Sequence, residues 1–306
     1  MAERSVPPSW QPPLVLALGI AAVSSAALFI RRAQAGAPSL SIAAYRLSLA
    51  ALVLLPWASL RYRGELRRLA RRECRLAGLA GLFLAVHFAT WISSLEYTSV
   101  ASSVVLVSTS PLWVALAGWL FLGEPLSQRT LAGLALAVAG GLVVGLGDRG
   151  AGAASAPLLG NGLALAGALA AAGYWLIGRR LRRTLSLIPY VALVYGAAAV
   201  ILLALALAAG LPLAGFSAPT WGCFALLALL PQLLGHSSFN WALAHLPAAF
   251  VAVATLGEPI GATMLAFLVL GEAPGTIRII GAATILAGIL LALLPSRRGA
   301  DAPTAE

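Results

Sequence analysis

Residues 110–124 read SPLWVALAGWLFLGE and residues 258–272 read EPIGATMLAFLVLGE. Pro111, Gly123 and Glu124 of the first string fall on Pro259, Gly271 and Glu272 of the second, an offset of 148 residues. The same offset carries Arg31-Arg32 onto Arg179-Arg180, Gly133 onto Gly281 and Gly140 onto Gly288. Matches of Leu or Ala carry little weight in so apolar a chain. Pro, Gly, Glu and Arg in gap-free register over more than a hundred residues mark two copies of one unit.

Composition places that unit in a membrane. The chain is 60% hydrophobic and 10% charged, with a mean hydropathy of +0.93, whereas soluble domains carry about 25% charged residues. Crossing a hydrocarbon core of about 30 Å takes roughly 20 apolar residues. Ten such stretches occur, near 13–30, 39–58, 76–96, 99–122, 128–147, 158–178, 188–209, 220–243, 247–270 and 276–294. The sequence therefore predicts an all-α integral membrane protein of ten transmembrane helices. Residues 13–147 form a first five-helix repeat, residues 158–294 a second, and 1–12 and 295–306 short tails.

The net charge of +10 arises from twenty arginines, most of them between the spans. With a cytoplasmic N-terminus, fifteen lie in cytoplasmic segments and four (Arg31, Arg32, Arg149, Arg278) outside. The positive-inside rule thus puts both termini in the cytoplasm and accounts for the charge without a nucleic-acid partner. Cys74 and Cys223 fall on opposite sides of the membrane, which excludes a disulfide between them and suggests no metal site. Residues 14–30 followed by Ala33-Gln34-Ala35 imitate a signal peptide. Arg31-Arg32 sits where a cleavage region is uncharged, and the stretch has an internal counterpart at 162–178, so it reads as a retained first helix.

Five spans per copy is an odd number, so the second copy enters the membrane from the opposite side and the repeat is inverted. Inverted repeats are a transporter architecture with the substrate site near the midplane, between the halves. The fifth and tenth spans are almost devoid of polar side chains but carry Gly133, Gly140, Gly141 and Gly145, and Gly281 and Gly288. Small residues permit close helix approach in lipid, so these spans are expected to be buttresses or a dimer face, consistent with a monomer or homodimer.

Polar groups inside a membrane are costly and are therefore candidates for function. Glu258 lies about 15 Å along the ninth span from Ala248 and is the deepest acid. It precedes Pro259, as Ser110 precedes Pro111, and proline interrupts the local hydrogen-bond ladder. His87 and Trp91 share a face of the third span at i, i+4. Gln232, His236 and Asn240 form a polar stripe on the eighth, and Tyr174, Trp175 and Ser24 complete the expected lining of a substrate cavity. Arg46, early in the second span, either snorkels to the outer surface or pairs with Glu258 or Glu96. Glu124 and Glu272 follow glycines Gly123 and Gly271 at span ends, where a structural or gating role in the turn is expected.

Three groups of residues then resemble a known family: Glu96-Tyr97-Thr98-Ser99-Val100-Ala101-Ser102 with Ser110-Pro111-Leu112; Phe121-Leu122-Gly123-Glu124-Pro125-Leu126-Ser127; and Glu258-Pro259 with Leu270-Gly271-Glu272. Together with Arg46 they resemble EamA-type transporters of the drug/metabolite transporter superfamily, over residues 13–294. The resemblance implies a ten-helix bundle in a bacterial inner membrane that exports small metabolites without a cofactor. It extends to the YddG-like branch of aromatic amino acid exporters, with which the aromatic residues near the cavity are compatible. The leading expectation is a secondary transporter or facilitator exporting amino acids by alternating access. A broad proton-coupled exporter of drugs or cations, with Glu258 as the binding acid, is the alternative. An intramembrane enzyme is disfavoured, because no HExxH, GxSxG or paired acidic motif is present.

Overall fold

The structure, a computed structural model, describes residues 8, 10–123, 127–148, 155–242 and 255–293. Glu124 and the first third of the expected ninth span, residues 247–254, lie outside the described residues. Among the described residues all regular structure is helical, as lipid requires of a spanning chain whose backbone must satisfy its own hydrogen bonds. Seven helices are long and apolar enough to cross a membrane: α1 (Gln11–Gln34), α2 (Ser39–Arg61), α3 (Arg71–Tyr97), α4 (Val100–Phe121), α6 (Pro157–Leu181), α7 (Leu187–Ala208) and α8 (Ala218–Ala242). Three of the expected spans are shorter apolar helices here: α5, apolar over Gln128–Val144 within Gln128–Asp148, α9 (Gly257–Leu270) and α10 (Thr276–Leu293). Large apolar side chains such as Leu52, Leu60, Phe121, Leu142, Leu158, Val200, Leu207 and Leu268 are exposed. On a soluble protein so wide an apolar belt would drive association; the protein is instead a multi-pass membrane protein, and lipid covers the belt.

The repeat reappears in the helix contacts. α5 and α10 pack antiparallel with Gly133 against the backbone of Gly288 and Gly140 against that of Gly281. The two contacts exchange under the 148-residue offset, as they must if a two-fold axis passes between the helices. A second set behaves alike. Gly167 of α6 packs on Thr90, Trp91 and the carbonyl of His87 in α3, and Gly19 of α1 packs on Ser238, Phe239 and the carbonyl of Gly235 in α8. Every residue of the second contact is its counterpart in the first shifted by 148. The glycine faces of α5 and α10 are consumed by each other, so they are a buttress inside the molecule and not a dimer face.

Helix ends and breaks follow the repeat too. α4 is interrupted at Ser108-Thr109 between Val100–Val107 and Ser110–Leu122, and α9 begins after a turn at Thr255-Leu256. In each copy the proline therefore sits in the first turn of a new helix, where its missing N–H costs nothing. Both helices stop at a left-handed glycine, Gly123 (φ 68°) and Gly271 (φ 70°), a conformation that side-chain-bearing residues rarely adopt. The N-termini of α2 and α7 each receive a carboxylate from another element, Glu96 at Ser39 and Glu65 at Ser186; negative charge is favourable there.

A matched pair of substitutions tests this packing. A methyl group added at Gly140 would lie 2.7 Å from the Gly281 carbonyl oxygen, whereas at Gly141 it would meet only a Leu106 methyl at 3.6 Å. Gly140→Ala is expected to cost about 1–3 kcal/mol, the usual range for overpacking, and Gly141→Ala close to nothing. Thermal unfolding of the two purified variants in one detergent measures the difference.

Candidate functional site

Arg46 is the centre of the polar interior. It is carried on α2 with 0% exposure, so it does not snorkel to the surface. Nor does it pair with Glu96, which is engaged at the N-terminus of α2. Its Nε donates to Oε1 of Gln232 at 2.8 Å. Its guanidinium lies over the Phe88 ring, 4.2 Å from the centroid, and 5.8 Å from that of Trp91, geometries in which the ring quadrupole attracts a cation. Arg46 thus joins α2, α3 and α8. Among the described residues no carboxylate stands within ion-pair distance of it; Glu258 is within Coulombic reach only.

Gln232 is fully buried and lies in a π-helical stretch, Ala228–His236, that interrupts α8 around Pro231. Proline removes one backbone donor, and the widened turn re-registers the helix there. One turn on, the Asn240 amide donates to the His236 carbonyl at 2.8 Å and to the Tyr174 hydroxyl at 3.4 Å. The His236 ring meets Phe88 edge-on, with centroids 5.7 Å apart. Gln232 and Asn240 are buried and His236 is half-buried, so the stripe lies on the inward side of α8.

The remaining candidates divide between this cluster and packing. His87 shares a face with Trp91, the rings stacked at 5.9 Å. Its Nδ1 is 2.9 Å from the Gly167 carbonyl; because a carbonyl only accepts, Nδ1 carries the proton. His87 is thereby committed to the α3–α6 contact. Tyr174 is buried against Tyr190 and Trp175, and Trp175 packs on the apolar group of Leu16, Val23 and Phe239. Ser24 is buried in α1 beside the break at Ser25; its hydroxyl donates to the Ile20 carbonyl at 2.8 Å and lies 3.5 Å from the Glu258 carbonyl. Glu258 is half-buried in the first turn of α9, directly before Pro259.

Glu272 does more than terminate a helix. It forms an ion pair with Arg31 at 3.1 Å and accepts the Val100 backbone N–H at 3.1 Å, while Arg31 also donates to the Thr98 carbonyl at 3.1 Å. The end of α1, the α3–α4 junction and the turn after α9 are latched at one point. Under the 148-residue offset Arg31 and Glu272 correspond to Arg179 and Glu124.

Three contributors were not singled out from sequence. Phe88 carries the Arg46 guanidinium, and Tyr190 and Tyr195 of α7 are fully buried tyrosines near the cluster. Departures from the repeat would have flagged the tyrosines, since they stand opposite Ile42 and Leu47. A surface cleft of about 400 Å³, lined by Phe29, Arg32, Thr220 and Cys223 among others, contains none of the expected site residues. Cys74 and Cys223 are both free thiols, and no cluster of three metal-ligating side chains occurs among the described residues.

The chain is similar to known proteins along almost its whole length. A family model described as the EamA-like transporter family matches residues 12–146 and again 158–294. An uncharacterized transporter of Archaeoglobus fulgidus is 25% identical over 280 residues, covering 91% of this chain and 96% of that protein. The uncharacterized transporter YetK of Bacillus subtilis is 26% identical over 219 residues; the match covers 69% of this chain and 65% of YetK, just under two thirds of its length. A crystal structure of a protein 22% identical superposes with a TM-score of 0.65 over 92% of this chain and 96% of that one, which establishes a shared fold.

Among the described residues Gln232 is the one hydrogen-bond acceptor for Arg46, so removing it should cost more than removing the pair. Gln232→Leu is expected to destabilise by about 1–3 kcal/mol, the cost of stranding a buried polar group, and Arg46→Met in the same chain to recover part of that loss. A double-mutant cycle on thermal unfolding checks the sign.

Proposed function

The chain belongs to the EamA-like transporter family, and we propose that it exports amino acids, aromatic ones foremost, by alternating access across a bacterial inner membrane. It is a transporter and not an enzyme, as its family and its transporter-named relatives indicate. In this reading ten spans form two inverted five-helix repeats, residues 13–147 and 158–294, with both termini cytoplasmic. The antiparallel glycine contacts of α5 with α10, each the image of the other under the offset, support the inversion. The arginine distribution supports the orientation.

The observation that carries the substrate assignment is the polar cluster of buried Arg46, Gln232 and Asn240 with half-buried His236, walled by Phe88, Trp91 and Tyr174. Aromatic walls suit an apolar side chain, the polar groups suit the zwitterion, and Glu258 offers a negative partner for the ammonium group. The Arg31–Glu272 latch closes the extracellular end of the path in this orientation. Arg179 and Glu124 are its counterparts at the cytoplasmic end, and alternate closure of the two ends is what inverted halves with near-equivalent packings provide. The resemblance to the YddG-like branch and the aromatic walls favour Trp, Tyr and Phe as cargo.

Glu258, a half-buried acid beside a helix break, is the one feature that favours the other reading, proton-coupled export of drugs or cations. Flux through purified protein in liposomes separates the two. Radiolabelled L-phenylalanine or L-tryptophan is expected to cross, and Glu258→Gln to slow that flux by about tenfold or more, equivalent to losing roughly 1.4 kcal/mol or more of binding or barrier stabilisation. Dye extrusion driven by a pH gradient, with no amino-acid flux, would replace this reading with the cation exporter.

A further inference from the structure

The polar interior holds an excess of donors. Among the described residues Nη1 and Nη2 of Arg46, Nε2 of Gln232 and Nε1 of Trp91 are buried with no acceptor at hydrogen-bond geometry, although the Tyr195 hydroxyl stands near the Gln232 amide. Each belongs to a group that only donates at that atom: a guanidinium, an amide nitrogen and an indole N–H have no lone pair to offer. The Gln232 amide cannot be turned round to help, because its oxygen is held by Arg46 Nε at 2.8 Å. The three side chains adjoin one another, the guanidinium being bonded to Gln232 and lying 5.8 Å from the Trp91 ring centroid.

A buried donor without an acceptor costs about 1–3 kcal/mol, and more when charged. The two free guanidinium nitrogens make the larger part of that cost, and they form one edge of a planar fork. Such a fork matches the two oxygens of a carboxylate, with parallel N–H···O bonds. A cationic group would offer these donors no acceptor, and a neutral hydroxyl oxygen could accept from one of them but would not balance the charge of the fork. Glu258, the acid that reaches Arg46 electrostatically, does not contact it.

We propose that Arg46 is the receptor for a carboxylate group of the transported molecule, with Gln232 and Trp91 donating beside it. Arg46 is then a substrate-binding residue and not a gating one, and the transported class is small carboxylates; an α-amino group is accommodated elsewhere and is not what the site demands. This rests on the reading of the chain as a transporter and sharpens its substrate class.

A minimal pair of probes tests it. 3-Phenylpropionate is phenylalanine without its amino group, and 2-phenylethylamine is phenylalanine without its carboxylate. Purified full-length protein is titrated with both, with butyrate and with succinate, and thermal stabilisation is recorded. At least one carboxylate is expected to raise the unfolding temperature and the amine is not; Arg46→Gln should weaken the responding carboxylate at least tenfold, and Arg46→Lys, which keeps the charge without the fork, by less. A response to the amine alone, no response to any carboxylate, or an unchanged response in Arg46→Gln would overturn the proposal. If Arg46→Gln fails to fold, the probe series on the unmodified chain decides by itself, with Trp91→Phe as the second variant, expected to weaken carboxylate binding while removing a single donor. Carboxylate binding without amino-acid flux would sink amino-acid export and leave this site standing. Amino-acid flux unaffected by Arg46→Gln would do the reverse.

Discussion

Close approach of helix backbones at glycine is the contact on which this molecule depends. In lipid, helices gain nothing from hiding apolar surface, because the hydrocarbon is as apolar as the side chains. Association rests on dispersion, and dispersion needs backbones near enough to touch. Gly133 and Gly140 on α5 meet Gly288 and Gly281 on α10, and Gly19 and Gly167 do the same service for α1–α8 and α6–α3. These contacts fix the antiparallel sense and the register of the helix pairs. Everything polar is then placed by them, because α3 and α8, which carry Trp91 and Gln232, are both held by a glycine from the opposite half.

The scaffold is symmetric and the chemistry is not. Leu84 and Phe88 in the first half stand where Gln232 and His236 stand in the second, and Ser110 stands where Glu258 does. The asymmetry runs in both directions, since Arg46 has Val194 as its counterpart. Phe88 is more than the apolar version of His236: it supports the guanidinium from one side and the His236 ring from the other. The first copy thus supplies the charge and an aromatic bed, and the second supplies the neutral polar groups that meet them.

How far the sequence discloses this depends on the range of the interaction. The repeat, the helix ends and the proline-initiated segments are legible because Pro and left-handed Gly act on their own backbone, as at Pro111, Pro259, Gly123 and Gly271. Facial stripes are legible for the same reason, so His87 with Trp91 and Gln232 with His236 and Asn240 could be grouped. What was not legible is which stripe meets which. Arg46 finds Gln232 across 186 positions of chain, whereas its own sequence context offers either snorkelling to the surface or an acid as partner. Among the described residues the guanidinium is instead left partly unanswered, and Glu96 stands at a helix end. His87 donates from Nδ1 to a carbonyl of α6, a partner in another helix that its own stripe does not disclose. The π-helical stretch around Pro231 and the break of α1 at Ser25 are likewise settled by neighbours and not by local preference.

An unanswered buried charge has a consequence for transport itself. A carrier passes through an occluded arrangement in which its site is sealed from water on both sides, and there an unpaired guanidinium is at its most costly, since water no longer solvates it. With a carboxylate on the fork, the same arrangement contains a hydrogen-bonded ion pair. The loaded carrier therefore reaches occlusion more easily than the empty one, by the differential affinity of the ligand for the two states. Replacing Arg46 and Gln232 together by apolar residues of similar volume would leave neither partner stranded and remove that difference. The same unsatisfied donors that lower the stability of the bundle tie its motion to the presence of cargo.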